Sequence, residues 1–315
     1  MPAYLFSGQG AQKAEMGKDL AMQYDVAAKI YQQASEHVSV DLLALDKGQL
    51  AQTLYAQLAI VTLSYAAFET WKDLIRQQGS VLPQGCFAGF SLGEYSALAA
   101  TGVLTFHDLL SLIRYRSQVM QAASEEQPGI MIAVIGLDKA VLAETLKEDA
   151  WQGKVWLAND NAPGQIVIAG YADETAACAE ALKAKGARRL VRLNVSGAFH
   201  TPLMQSAADQ LSAFASRFKF SKPDMPVYSN ASGAHAPDDV NWPRYLSVHM
   251  CSSVHWVDTI KAAAASGQTT FIEFGPGKVL TGLVKKTLRD ASVFNVETCD
   301  DMQKLMQADL ARPQR

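Results

Sequence analysis

Apolar and polar positions change rhythm several times along the chain, and each change marks an element. AYLFSG (3–8) is a continuous apolar run closed by glycine, which predicts a short buried strand. Apolar residues then recur at spacings of three and four over 14–37, 51–78, 93–100 and 106–123, predicting helices. GIMIAVIG (129–136), KVWLANDN (154–161) and QIVIAGY (165–171) read as strands. LDKAVLAETLKEDA (137–150) and ADETAACAEALKAKG (172–186) are amphipathic helices, the second closed by Gly186. ARRLVRLNVS (187–196) alternates like a strand.

The order over 129–195 is therefore β-α-β-β-α-β, the split pattern of a ferredoxin-like unit. Beyond it the pattern predicts a helix over 202–217, a strand around MPVYSN (225–230), a polar loop over 231–241, and helices near 243–250 and 253–266. TTFIEFGPG (269–277) is a strand entering a glycine turn, KVLTGLVKKTL (278–288) is a helix, and the terminal ARPQR is expected to fray. The sum is a larger α/β body whose parallel sheet is built from segments on both sides of an insertion.

Composition narrows the function classes. The chain has 315 residues, 49% of them hydrophobic, and a length of this order buries about three quarters of its unfolded surface. A net charge of −3 argues against a broad nucleic-acid footprint. Leu54 to Phe68 is the most apolar helical stretch, but it is too short to span a bilayer and contains Gln57, so a buried helix is expected and no membrane role. MPAYLFSGQG lacks the basic start and long apolar core of a signal peptide. Cys86, Cys178, Cys251 and Cys299 are far apart with no C-x-x-C pair, which points to reduced thiols and a cytoplasmic location. No H-E-x-x-H or cysteine pair accompanies His249 and His255, so no metal site is expected.

Candidate chemistry begins at Gly89-Phe90-Ser91-Leu92-Gly93, a G-x-S-x-G match between strand-like CFAGF and helix-like EYSALAA. In a nucleophile elbow the serine projects from a sharp strand-to-helix turn, and the next backbone N–H faces an oxyanion. On local context Ser91 is either that nucleophile or a helix cap. A serine hydroxyl needs a base. Among the six histidines His200 is the best placed, because SGAFHTPLM follows a strand at the sheet edge where sites form in α/β folds; the alternative is a cap for the next helix. FSGQGAQ (6–12) joins a strand to a helix, so its N–H groups either face an anion or make an ordinary tight turn. In IRYRSQVMQ (113–121), Arg114 and Arg116 face different directions on one helix. A buried arginine there needs an anionic partner, either a structural carboxylate or a substrate's.

Together FSGQGAQ, GFSLGEYSALAATGVL, YRSQVMQ, APGQIVIAG, SGAFHTPLM and FIEFGPGKVLTGLVKK, in that order over almost the whole chain, resemble the malonyl-CoA:acyl carrier protein transacylase family, which includes acyltransferase domains of polyketide and fatty-acid synthases. The resemblance implies an α/β-hydrolase-like catalytic subdomain with a parallel sheet (1–127 and 197–315), interrupted by a small ferredoxin-like subdomain (128–196). It implies ping-pong transfer of malonyl from malonyl-CoA to the phosphopantetheine thiol of an acyl carrier protein, with no permanently bound cofactor. Ser91 is then the nucleophile and His200 the base, with backbone N–H groups of Gln9 and Leu92 holding the oxyanion. Arg116 binds the malonyl carboxylate and Phe199 favours malonyl over methylmalonyl.

Two departures from the family stand out. Phe90 replaces the frequent histidine before the serine and is expected to reshape the pocket wall. His249 aligns where relatives often carry glutamine; there a backbone carbonyl orients the catalytic histidine, so no triad carboxylate is required. For an acidic carrier protein, candidate contacts are Lys183, Lys185, Arg188, Arg189, Arg192, Lys285, Lys286 and Arg289. The chain is expected to act in trans, as a monomer. Competing readings are the same chemistry in a polyketide or other malonyl-using pathway, a serine thioesterase or hydrolase, and a non-catalytic binding module.

Overall fold

The computed structural model describes residues 1–237 and 239–308, so the ARPQR tail and one residue of the polar loop lie outside the described residues. The strands are β1 (Pro2–Phe6), β2 (Cys86–Gly89), β3 (Gly129–Ile135), β4 (Val155–Ala162), β5 (Gln165–Tyr171), β6 (Arg189–Arg192), β7 (Val227–Tyr228), β8 (Thr270–Phe274) and β9 (Ser292–Val296). One sheet runs β7-β2-β1-β8-β9 with every pairing parallel. The other runs β4-β5-β3-β6 with every pairing antiparallel. The second sheet falls between β2 and β7 in the chain, and with helices Lys139–Thr145 and Ala172–Ala184 it realises the β-α-β-β-α-β order.

β1 reads as an unbroken apolar run because both its faces are covered, as parallel strands require. Side chains alternate across a strand. Tyr4 and Phe6 enter one core with Phe68 and Trp71, from helix Thr53–Gln77. Ala3 and Leu5 enter another with Trp256, Ile260 and Leu283. Helix Thr53–Gln77 is the expected buried helix, and no helix among the described residues is long and apolar enough to cross a membrane. The small sheet has its own core of Ile130, Ile132, Leu142, Cys178 and Leu182. Met131, Ala133 and Val167 on its opposite face join the core of the larger body.

Several boundaries depart from the expected pattern. The helical region 14–37 is two helices, Lys18–Gln23 and Asp25–Val38, broken where Tyr24 is extended at φ −127° and ψ 120°. The helix expected over 137–150 ends at Thr145 with Leu146 as its C-cap, after which KEDAWQG offers only Trp151 as a large apolar anchor. The expected strand 187–196 pairs only over Arg189–Arg192; the chain then leaves the sheet edge toward Phe199 and His200. β9 and helix Cys299–Gln307 are additional elements.

Candidate active site

The turn after β2 is set by close contact. A Cβ on Gly89 would lie 1.9 Å from the carbonyl carbon of Gly93, and one on Gly93 would lie 2.0 Å from the Phe6 oxygen. Only glycine lets helix Leu92–Ala100 sit this near β2 and β1. Ser91 at the apex holds φ 49° and ψ −106°, a strained conformation for a residue with a side chain. Its hydroxyl does not cap the helix. It lies 2.7 Å from Nε2 of His200.

His200 also sits at positive φ, 61°. Its Nδ1 is 3.3 Å from the carbonyl oxygen of His249 and 3.1 Å from that of Ser252. Carbonyl oxygens only accept, so Nδ1 carries the proton and donates, leaving the Nε2 lone pair to accept from the Ser91 hydroxyl. Burial, and then the nearby charge of Arg116, lowers the His200 pKa to about 4, against a smaller opposing effect of the two carbonyls. The imidazole is therefore neutral at pH 7. One of the two carbonyls belongs to His249 and the other to Ser252. Ser252 is the C-cap of helix Trp242–Cys251, and the last carbonyls of a helix lack partners within it.

Of the two arginines on helix Phe106–Glu126, Arg114 is exposed and Arg116 is buried at 1% exposure. The Arg116 guanidinium lies 5.2 Å from the Tyr95 ring centroid. Its Nε and Nη1 are buried without a hydrogen-bond partner among the described residues. Its charge reaches both His200 and His249, depressing the pKa of each after burial has done so. An unpaired buried cation is costly unless an anion arrives.

The Gly-Gln-Gly turn abuts the elbow. A Cβ on Gly8 would fall 2.6 Å from the Phe90 oxygen, and Phe90 N–H donates to the Phe6 carbonyl at 3.0 Å. The Gln9 side-chain oxygen accepts from Nε2 of the buried Gln57 at 3.0 Å. Leu92 is the first residue of its helix, where a backbone N–H has no partner within the helix. Phe199 and Gln9 line a cleft of about 760 Å³ with Gln12, Gln118 and Asn194. A second cleft of about 380 Å³ reaches His200 past Trp156, Pro202 and Ser252. The Phe90 ring packs edge-on against Trp256 at 5.4 Å, on the side of the second core.

The sequence reading missed Asn230 and Glu94. The Asn230 Oδ1 accepts from Ser91 N–H at 2.7 Å, and its Nδ2 donates to the Gly89 carbonyl at 2.6 Å. Glu94, buried, accepts from the Asn230 N–H at 3.1 Å and from the Tyr245 hydroxyl. The available signal was positional: Asn230 sits just past the carboxyl end of β7, the edge where α/β sites form. Among the described residues no group of three His, Cys, Asp or Glu side chains is placed to hold a metal ion.

The acyl transferase domain model matches residues 3–310. The chain belongs to the acyl transferase domain family. It is 38% identical over 306 residues to the malonyl CoA-acyl carrier protein transacylase of Bacillus subtilis, covering 95% of each chain. It is 37% identical over 288 residues to that of Escherichia coli K12, covering 90% of this chain and 92% of the relative. The structure of MCAT from Streptococcus pneumoniae superposes with a TM-score of 0.90 at 35% identity, over 98% of this chain and 100% of that one. A malonyl-transacylase solved in complex with its type II PKS acyl carrier protein superposes equally, at 0.90 and 33% identity, over 98% of this chain and 99% of that one. Against this background the parallel sheet with a small antiparallel sheet is the acyltransferase fold.

Proposed function

We propose that this chain transfers the malonyl group of malonyl-CoA to the phosphopantetheine thiol of an acyl carrier protein, through a malonyl ester on Ser91, supplying malonyl carrier protein for fatty-acid synthesis. The observation that carries the reading is the buried Arg116 guanidinium, two of its nitrogens unpartnered, beside a serine–histidine pair. A nucleophile and a base alone suit any acyl group. A buried cation with free donors suits an acyl group bearing its own anion.

In the first half-reaction the Ser91 oxygen attacks the thioester carbonyl while its proton passes to His200 Nε2. The backbone N–H groups of Leu92 and Gln9 hold the resulting oxyanion. Such donors are each worth about 10²–10³ in rate. The carbon–sulfur bond then breaks, CoA leaves as a thiol with the proton from His200, and the ester remains. In the second half-reaction the carrier-protein thiol gives its proton to His200 and attacks the ester. The carbon–oxygen bond breaks and Ser91 regains the proton. The carbonyls of His249 and Ser252 keep the proton on His200 Nδ1 and fix the ring's orientation throughout, without a carboxylate. Phe199 bounds the acyl pocket against branched groups. Nucleophile, base and cation are all side chains of this chain, so the chemistry calls for no further cofactor or metal.

We assign the catalytic subdomain to 1–127 and 197–315 and the insertion to 128–196, and expect a cytoplasmic monomer acting in trans. For the carrier protein the exposed Lys183, Arg188, Arg189, Arg192, Lys285 and Arg289 are the candidate contacts. Lys185 is engaged by Glu148 at 2.5 Å and Lys286 by the Gln165 side chain at 2.7 Å, which makes both weaker candidates. A polyketide pathway is the second reading, favoured by the similarity to the transacylase solved with its type II PKS carrier protein. Intact-mass analysis tests the function. Malonyl-CoA should add one malonyl to the protein at Ser91, and a holo carrier protein should remove it and gain it. Release of free malonate at a rate independent of carrier protein would make the chain a hydrolase.

A further inference from the structure

Ser91 and His200 both hold strained backbone conformations, so surrounding structure must keep them in place. Two separate devices do this. Asn230 clamps the elbow, bonding Ser91 N–H on one side and the Gly89 carbonyl on the other. Helix Trp242–Cys251 aims the base, through the carbonyls at its end. Glu94 touches both. Its Oε2 accepts from the Asn230 N–H, its Oε1 accepts from the Tyr245 hydroxyl, and His249 Nε2 lies 3.4 Å from Oε2. Tyr245 and His249 are one turn apart on the aiming helix, their rings parallel within 6°.

We propose that Glu94 is a positioning residue that sets the Ser91–His200 geometry by joining the Asn230 clamp to the helix Trp242–Cys251. His249 belongs to the same junction: in this chain an imidazole faces the carboxyl. Burial raises the Glu94 pKa well above its ordinary value. Burial first, then the charges of His200 and Arg116, holds that of His249 far below its own. Both shifts disfavour a charged Glu94–His249 pair, so the junction is held by hydrogen bonds rather than by an ion pair. A glutamine can reproduce this, its oxygen accepting from Asn230 and its amide donating to the Tyr245 hydroxyl oxygen, which can rotate its proton away.

The inference rests on Ser91 being the nucleophile, and its test separates the two ideas. A fluorophosphonate probe reports Ser91 reactivity without malonyl chemistry. Single-turnover acylation by malonyl-CoA gives a maximal rate and a half-saturating concentration. Glu94→Ala should lose about 100-fold in labelling and in maximal acylation rate, as a misplacement near 1 Å does, with the half-saturating concentration unchanged. Glu94→Gln should recover most of that rate. Wild-type protein that resists both reagents would overturn the proposed function itself. Reactive wild type with an equally reactive Glu94→Ala would overturn only the positioning role, as would a Glu94→Gln that loses as much as Glu94→Ala. Asn230→Ala decides the matter if Glu94→Ala does not fold: it cuts the side-chain clamp and leaves Glu94 in place. The same loss of maximal rate supports the proposal, and a wild-type rate overturns it.

Discussion

The Ser91 hydroxyl and His200 Nε2 are 2.7 Å apart although the two residues are separated by 109 positions in the chain. Removing either group tests the pair directly. Ser91→Ala should give no covalent adduct with malonyl-CoA by intact mass. His200→Ala should slow both half-reactions by about 10²–10⁴, the usual contribution of a general base.

With His200 as the proposed base, its acidity should set the acid limb of the rate. Only the neutral imidazole accepts the serine proton, and in the folded protein it protonates near pH 4 rather than near 6.5. Single-turnover acylation should therefore hold from pH 7 down to about 5 and fall toward 4. A midpoint near 6.5 would mean that the site is wetter than its burial indicates.

Arg116→Ala should separate two effects. Malonyl loading should fall by about 10- to 150-fold, equivalent to a charge-assisted bond of roughly 1.5–3 kcal/mol, while acetyl loading is spared or improved. The same change removes a positive charge that lowers the His200 pKa, so the acid limb should move to higher pH. Equal losses for malonyl and acetyl would remove Arg116 from selectivity.

Glu273 offers a stability test away from the reaction. It accepts from the Ser7 hydroxyl at 3.1 Å and from Leu280 and Thr281 N–H at 3.1 and 2.8 Å, tying the Gly-Gln-Gly turn to the helix after β8. Burial outweighs these bonds and lifts its pKa to about 7. Between its unfolded value and 7 the folded state holds a proton that the unfolded state has lost, so this residue's contribution to stability falls as pH rises through that window. His200, lowered, contributes with the opposite slope, so the comparison must be between proteins. Wild type minus Glu273→Gln, in denaturant titrations from pH 4.5 to 7.5, should show stability declining with pH; a flat difference would contradict the assignment.

Gly93→Ala should damage both stability and rate. Its Cβ would be driven into the Phe6 carbonyl. Overpacking of this kind costs about 1–3 kcal/mol, occasionally more, and here the strand–helix separation that aims Ser91 must also widen. Denaturant midpoint and fluorophosphonate labelling should fall together.

The sequence made legible the parts of the site that depend on local chemistry. Gly89, Ser91 and Gly93 announce a tight turn, and Arg114 and Arg116, two apart on a helix, announce two different directions without saying whether either turns inward. The β-α-β-β-α-β insertion was visible because its strands and helices alternate in period. Asn230 and Glu94 were not, because their importance lies in contacts more than 130 positions apart that no spacing reveals. β9 was missed for a related reason: SVFNV is short and half exposed, and its identity as a strand comes from pairing with β8. Helix Cys299–Gln307 carried a readable sign, since Thr298 and Asp301 form a capping box at its start. The split at Tyr24 had no such sign, because the apolar spacing continues through it.

The parallel sheet also constrains how the molecule is born. β1 is synthesised before either of its neighbours, and one of them, β8, begins only at Thr270. Until then a fully apolar strand waits with an open edge, the kind of surface that chaperones cover and that aggregates if left bare. Pairings of such long sequence separation slow folding. They also mean that Ser91 is synthesised long before the imidazole at 200 and the carbonyls at 249 and 252 that meet beside it in the folded protein.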